Sequence, residues 1–155
     1  MRTKTCCFTG HRKIPFGQYE HVSERLREEI ISLIHDGITF FGAGGALGFD
    51  TLAALTVLSL KKEYPQIKLI LVLPCLNQTK GWEEKDVKVY KDIKAQCDKY
   101  IYTSQEYTRC CMSKRNRYLA DNSSICVCYL TRKTGGTAYA VDYARKKGLN
   151  VISLA

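Results

Sequence analysis

A short aromatic strand, Thr39-Phe40-Phe41, runs into the glycine-rich turn Gly42-Ala43-Gly44-Gly45-Ala46-Leu47-Gly48 and then directly into an apolar helix that opens at Phe49-Asp50. A chain with this order of elements must put the turn at the end of a strand and aim the first N–H groups of the helix, with its positive dipole end, back at that turn. Glycine tolerates positive φ and lets the backbone come close to a bound group. Gly42, Gly44, Gly45 and Gly48 are therefore candidates for a phosphate cradle. The spacing departs from the dinucleotide fingerprint, which after Gly42 and Gly44 needs a glycine at position 47, where Leu47 stands. A nucleotide-like phosphate fits the pattern better than a nicotinamide cofactor. The competing explanation is a tight strand-to-helix turn that needs glycine and holds no ligand. Asp50 has two readings as well: a carboxylate favoured at a helix start by the dipole, or an acceptor for ribose hydroxyls beside the cradle.

The theme returns near the other end of the chain. An apolar strand over residues 125–130 leads through Thr131 to Gly135-Gly136-Thr137 and into a helix carrying Ala138, Ala140, Val141 and Ala144, which closes at Lys147-Gly148. Between the two turns, strand and helix patterns alternate. Strands are expected over 4–9, 38–41, 67–73, 99–103, 125–130 and 150–154, and helices over 18–35, 49–63, 83–97, 114–121 and from 138. Residues 67–73 are nearly continuous β-type apolar sequence ended by Pro74, as in a central strand covered on both faces. Such alternation predicts an α/β fold with a parallel sheet, and 155 residues are the size of one domain.

In a parallel sheet ligands gather at the carboxyl ends of strands, and this places further candidates. The first strand stops at Thr9-Gly10-His11-Arg12, which offers a hydroxyl, a glycine, an imidazole and a guanidinium to a phosphate or sugar. Arg115 and Asn116 stand together on a helix, suited to a phosphate or a base edge or simply exposed helix polarity. Trp82 is a lid or base-stacking aromatic, or a tryptophan at the edge of the core.

The formal net charge of +9 favours anionic partners without choosing among them, because the basic residues are scattered through the helices. No apolar run approaches the roughly 20 residues of a membrane span, so no membrane partner and a cytoplasmic location are expected. The eight cysteines contain no C-x-x-C, and Cys6, Cys7, Cys126 and Cys128 fall in apolar strands. They are expected to be buried thiols, with no metal site.

Four motifs taken in order resemble the SLOG superfamily, the Rossmann-like group that unites DprA-type and "lonely guy"-type proteins, and most closely its small YpsA-like branch. They are Phe8-Thr9-Gly10-His11-Arg12, Gly44-Gly45-Ala46-Leu47-Gly48-Phe49-Asp50, Arg115-Asn116 followed by Asp121, and Gly135-Gly136-Thr137. The resemblance implies a Rossmann-like three-layer α/β/α sandwich with a mostly parallel sheet. It also implies a pocket for a nucleotide or nucleotide-derived ligand, such as an ADP-ribose-like molecule, built from Thr9, Gly10, His11, Arg12, Gly42, Gly44, Gly45, Gly48, Asp50, Arg115, Asn116, Gly135, Gly136 and Thr137. It implies no settled reaction. The family's phosphoribohydrolases carry a Pro-Gly-Gly-x-Gly-Thr turn and then a catalytic glutamate, whereas here Thr134-Gly135-Gly136-Thr137-Ala138 is followed first by Asp142. A hydrolase of an N-glycosidic or phosphate bond is the alternative, with Asp50, Asp121 and His11 as candidate catalytic groups. Single-stranded nucleic acid binding, as in DprA-type relatives, is the lower alternative, and a homo-oligomer is an open possibility.

Overall fold

The computed structural model describes residues 2–155. Its strands are β1 (Thr5–Gly10), β2 (Phe40–Ala43), β3 (Lys68–Leu73), β4 (Lys99–Tyr102), β5 (Ile125–Tyr129) and β6 (Asn150–Ser153). They alternate with α1 (Phe16–His35), α2 (Phe49–Leu60), α3 (Glu84–Gln96), α4 (Cys111–Asp121) and α5 (Gly136–Lys146). All strand pairs are parallel, in the order β4-β3-β2-β1-β5-β6. This is the expected Rossmann-like α/β architecture.

Period-two alternation in the strands builds two cores. Cys6, Phe8, Phe41, Leu69, Leu71, Leu73, Val127 and Tyr129 face one side, where they meet the apolar stripes of α1 and α2 and Ile93 of α3. Cys7, Val72, Cys126 and Cys128 face the other side, under Leu119 and Ala120 of α4 and Val141 and Ala144 of α5. The four strand cysteines are buried and all eight are free thiols, as their apolar setting predicts. Among the described residues no group of three or more His, Cys, Asp or Glu side chains is placed to hold a metal, and no helix is long and apolar enough to cross a membrane.

Helix α1 ends where expected. Gly37 takes φ 98°, its N–H donates to the Ile34 carbonyl at 3.0 Å, and Ile38 N–H reaches back to Leu33 O at 3.0 Å. Three departures from the sequence pattern bear on the site. Helices α4 and α5 begin earlier than their apolar period suggests, so Met112 lies in the first turn of α4 and Gly136 and Thr137 in that of α5. Strand β2 extends through Gly42 and Ala43, which pair with Ile70 and Leu71. Strand β3 sits next to the edge strand β4, and β1 and β2 occupy the middle of the sheet.

The chain steps outward from β1 to β4 with α1 to α3 on one face, then returns to the other side of β1 and continues through β5 and β6 with α4 and α5 on the opposite face. The loops after β1 and β5 therefore part toward opposite faces. That divergence opens a crevice at their carboxyl ends, the place where open α/β sheets hold ligands.

Candidate functional site

The loop after β1 is held by His11. Its main-chain N–H donates to Tyr129 O at 3.3 Å, its carbonyl accepts the Phe49 N–H at 3.1 Å, and its ring Nε2 accepts the Thr131 N–H at 2.8 Å. The imidazole is only 6% exposed and stands edge-on to the Tyr129 ring. Burial, with the nearby charge of Arg132, lowers its pKa and favours the neutral ring. One side chain thus ties together the ends of β1 and β5, and its main chain reaches the start of α2. Just before it, Gly10 is required by packing, because a Cβ there would come within 2.6 Å of Phe49.

The first glycine turn is filled by the protein itself. The Gly44 carbonyl accepts hydrogen bonds from Arg115 Nη1 and from Gln78 Nε2. Ala46 N–H donates to the Asp50 carboxylate at 3.3 Å, and the Gly44 N–H is a further backbone donor to it. A Cβ on Gly44 would lie 2.6 Å from Arg115 Cζ and 2.9 Å from Asp50 Oδ2. On Gly45 (φ 75°) it would meet Leu73 and Gln78, and on Gly48 (φ 75°) the main chain of His11 and Arg12. The space freed by these glycines goes to protein atoms, and the anion resting on the turn's N–H groups is Asp50.

Asp50 and Arg115 are both buried, at 6% and 5% exposure. Burial raises the Asp50 pKa against the opposing charges of Arg115 and Arg12 and the main-chain donors. Burial likewise lowers that of Arg115 while Asp50 opposes it. Arg115 is further fixed by donating from Nε to Asn116 Oδ1 at 2.7 Å. A crevice of about 110 Å³ opens beside them, lined by Thr9, Arg12, Asp50, Arg115, Asn116 and Thr137 among others.

The second turn is different in kind. Gly135 (φ 101°) and Gly136 have nothing within 4 Å of an added Cβ, and no side chain caps the first N–H groups of α5, as is also true of α2. Arg12, Gly136 and Thr137 line both the crevice and a 600 Å³ cavity that also touches His11, Lys13 and Arg132. Arg132 also lines a neighbouring 770 Å³ cavity, flanked by Lys133, Tyr139, Asp142 and Arg145. The three adjacent spaces lead from a buried carboxylate to an outer cavity where three basic side chains outnumber the one carboxylate, Asp142.

The fold thus brings together Thr9, Gly10, His11, Arg12, Gly44, Asp50, Arg115, Asn116, Gly135, Gly136 and Thr137 around the ends of β1 and β5. Others stand apart. Gly42 lies inside β2, where a Cβ would come 2.9 Å from Leu119, so its smallness serves α4 packing. Gly45 turns its free side toward Leu73, Gln78 and Tyr90. Asp121 closes the far end of α4, accepting from Tyr143 Oη at 2.8 Å with Lys147 at 3.7 Å. Trp82 is half-buried against the Tyr90 ring at 5.7 Å. Sequence reasoning passed over Arg132, Lys13 and Gln78. The first of these was marked by the basic pair Arg132-Lys133 between a strand end and a Gly-Gly turn, whereas nothing local marks Gln78.

The model of the YspA SLOG family (YpsA) matches residues 6–151. The chain belongs to this YpsA family. UPF0398 proteins of Bacillus thuringiensis strain Al Hakam and Bacillus cereus strain AH187 are each 27% identical to it over 158 residues, covering 94% of the chain and 84% of the relative. Among solved structures, DNA processing protein A (DprA) of Streptococcus pneumoniae superposes with a TM-score of 0.72 at 14% identity, over 97% of this chain and 50% of that one. DprA of Helicobacter pylori, described with its single-stranded DNA binding mode, superposes with a TM-score of 0.69 at 20% identity, over 96% and 64%. This YpsA-family chain therefore shares the DprA fold while spanning only half to two-thirds of those proteins. All four motifs that carried the resemblance lie within the matched residues.

Proposed function

We propose that this YpsA-family protein binds a nucleotide or nucleotide-derived ligand across the β1/β5 crevice. The observation that carries the reading is the adjacency of two cavities that share Arg12, Gly136 and Thr137 in their walls: uncapped helix N–H groups and basic side chains adjoin a small polar recess holding Asp50 and Asn116. A phosphate suits the first and sugar hydroxyls suit the second. The half-exposed Tyr139 (56%) in the outer cavity offers a face on which a base can stack. Phosphate belongs at the second turn because Asp50 already takes main-chain donors of the first.

A thermal-shift panel of nucleosides, mono- and dinucleotides, ADP-ribose and NAD tests this. A true ligand at ~100 times its Kd adds about 2.7 kcal/mol, which for a chain of this size is a rise of about 5–10 °C. Phosphorylated members should act and free nucleosides should not. A panel that moves nothing removes the proposal. A single-stranded oligonucleotide belongs in the same panel, since binding that weakens steeply with salt would mark a nucleic acid site instead.

A second reading, hydrolysis of an N-glycosidic or phosphate bond of such a ligand, is favoured by the buried Asp50 whose pKa is raised, as a general acid requires. Incubation with nucleoside monophosphates and ADP-ribose followed by detection of free base or ribose phosphate separates binding from turnover. Product formation undiminished by Asp50→Asn would exclude Asp50 from the reaction.

A further inference from the structure

A main-chain N–H can only donate, so the 2.8 Å contact from Thr131 N to His11 Nε2 assigns the lone pair to Nε2. In the neutral ring the proton then sits on Nδ1. At 3.3 Å from Nδ1 lies Nη2 of Arg132, a guanidinium nitrogen that also has nothing but protons to offer. Two donors face each other with no acceptor between them, and one belongs to a side chain only 6% exposed. A buried donor without a partner is costly, and a cation set against it adds repulsion. Both groups open onto the 600 Å³ cavity that Arg12, Lys13 and the first residues of α5 also line.

We propose that His11 Nδ1–H and the Arg132 guanidinium form a two-donor clamp for a phosphoryl oxygen, held over the uncapped N-terminus of α5. The clamp deepens the nucleotide reading and rests on it for the place of the site. An oxyanion inserted between the two donors accepts from both and turns a repulsive pair into two favourable contacts, one of them charge-assisted. The α5 N–H groups and the positive end of the helix dipole supply further stabilisation for the remaining oxygens. His11 acts in its neutral form, because protonating Nε2 would break the bond from Thr131 that orients the ring. The charged groups around it are Arg132 on the loop after β5 and Arg12 and Lys13 on its own loop, with Tyr129 packed against the ring. A phosphate therefore enters a field that is positive from both loops. A hydroxyl, which brings no charge, gains little there, so the clamp selects phosphorylated over dephosphorylated ligands.

The test uses the full chain, labelled with nitrogen-15. Long-range imidazole correlations report the tautomer of His11, and titrations with inorganic phosphate, with 5′-AMP and with sodium chloride at matched ionic strength report the site. The expected result is a ring protonated on Nδ1 before any addition and a His11 Nδ1–H resonance that moves with phosphate and AMP but not with chloride. Arg132→Ala, a change at an exposed loop position, should weaken phosphate binding about tenfold or more, the loss of one charged hydrogen bond. A ring protonated on Nε2, a response no different from that to chloride, or unchanged affinity in Arg132→Ala each overturns the clamp. If nucleotides raise the melting temperature while Arg132→Ala binds them normally, the clamp fails and the nucleotide reading stands. If inorganic phosphate engages the clamp but no nucleotide stabilises the protein, the clamp stands and the nucleotide reading fails.

Discussion

The two glycine turns look alike as sequence and differ in what fills them. At the first, Arg115, Gln78, Leu73 and the main chain of the His11 loop occupy the space that absent Cβ atoms leave, and Asp50 takes the turn's donors. At the second, nothing approaches Gly135 or Gly136 within 4 Å. A glycine-rich turn can thus be the seat of a buried internal ion or an open seat for an external one, and the strand–Gly–helix pattern is common to both. The first turn acts as a wall of the site and the second as its floor.

Substitutions that add one methyl group probe this contrast directly. Gly44→Ala should have the largest effect, about 3 kcal/mol or more of lost stability by urea unfolding, because the new carbon displaces Arg115 and Asp50 from a buried arrangement. A stable Gly44→Ala protein that instead loses ligand affinity would reverse the comparison. Gly135→Ala should cost about 1–3 kcal/mol from its backbone conformation alone (φ 101°, ψ −177°), which only glycine adopts readily, with no clash against neighbouring residues. Gly136→Ala, with no positive φ and open space around it, should change stability by less than about 0.5 kcal/mol yet weaken phosphate binding several-fold, as read by calorimetry on the folded protein. Equal stability losses in Gly44→Ala and Gly136→Ala would end the distinction between wall and floor.

Asp50 sharpens the same contrast through pH. Burial first, against the charges of Arg115 and Arg12, raises its folded pKa above the unfolded value near 3.9, so the native state binds this proton more tightly than the unfolded one. The stability that Asp50 contributes is therefore complete below about pH 3.9 and declines as pH rises through its folded pKa. Asp50→Asn does not titrate. The stability of Asp50→Asn relative to the native sequence should increase with pH over that window, measured by urea unfolding of both proteins at each pH; a flat difference would show that Arg115 and the main-chain donors balance burial, and a falling one that they outweigh it. The smallest effect belongs to Asp121→Asn. Its contacts with Tyr143 and Lys147 are solvent-exposed and remote from the crevice, so neither stability nor ligand affinity should change measurably.

Much of this molecule follows from local sequence. Alternating apolar periods located every strand and every α-helix, with ends displaced by a few residues, because each element must bury one face and its period states which. Element order then implied a parallel sheet, and strand ends implied where Thr9, Gly10, His11, Arg12, Gly135, Gly136 and Thr137 would gather. Other relations lay between residues far apart in the chain, and no local pattern encodes them. Gly44 and Arg115 are separated by 71 positions and His11 and Arg132 by 121, yet each pair meets at hydrogen-bonding distance or close to it. Gly42 and Gly44 are two residues apart and so face the same side of the sheet, toward Leu119 and Arg115, one turn apart on α4, and only the packing of that helix decides that one meets an apolar side chain and the other a guanidinium. Asp121, within a motif that resembles its family, is carried to the opposite end of α4 because that helix runs the length of the sheet. Sequence alone determined which faces had to be buried and so the fold, since burial periodicity is a property of neighbouring residues. Whether each glycine turn was occupied by the protein or left open was decided only in the tertiary structure, because that depends on which distant side chains the parallel sheet delivers to it.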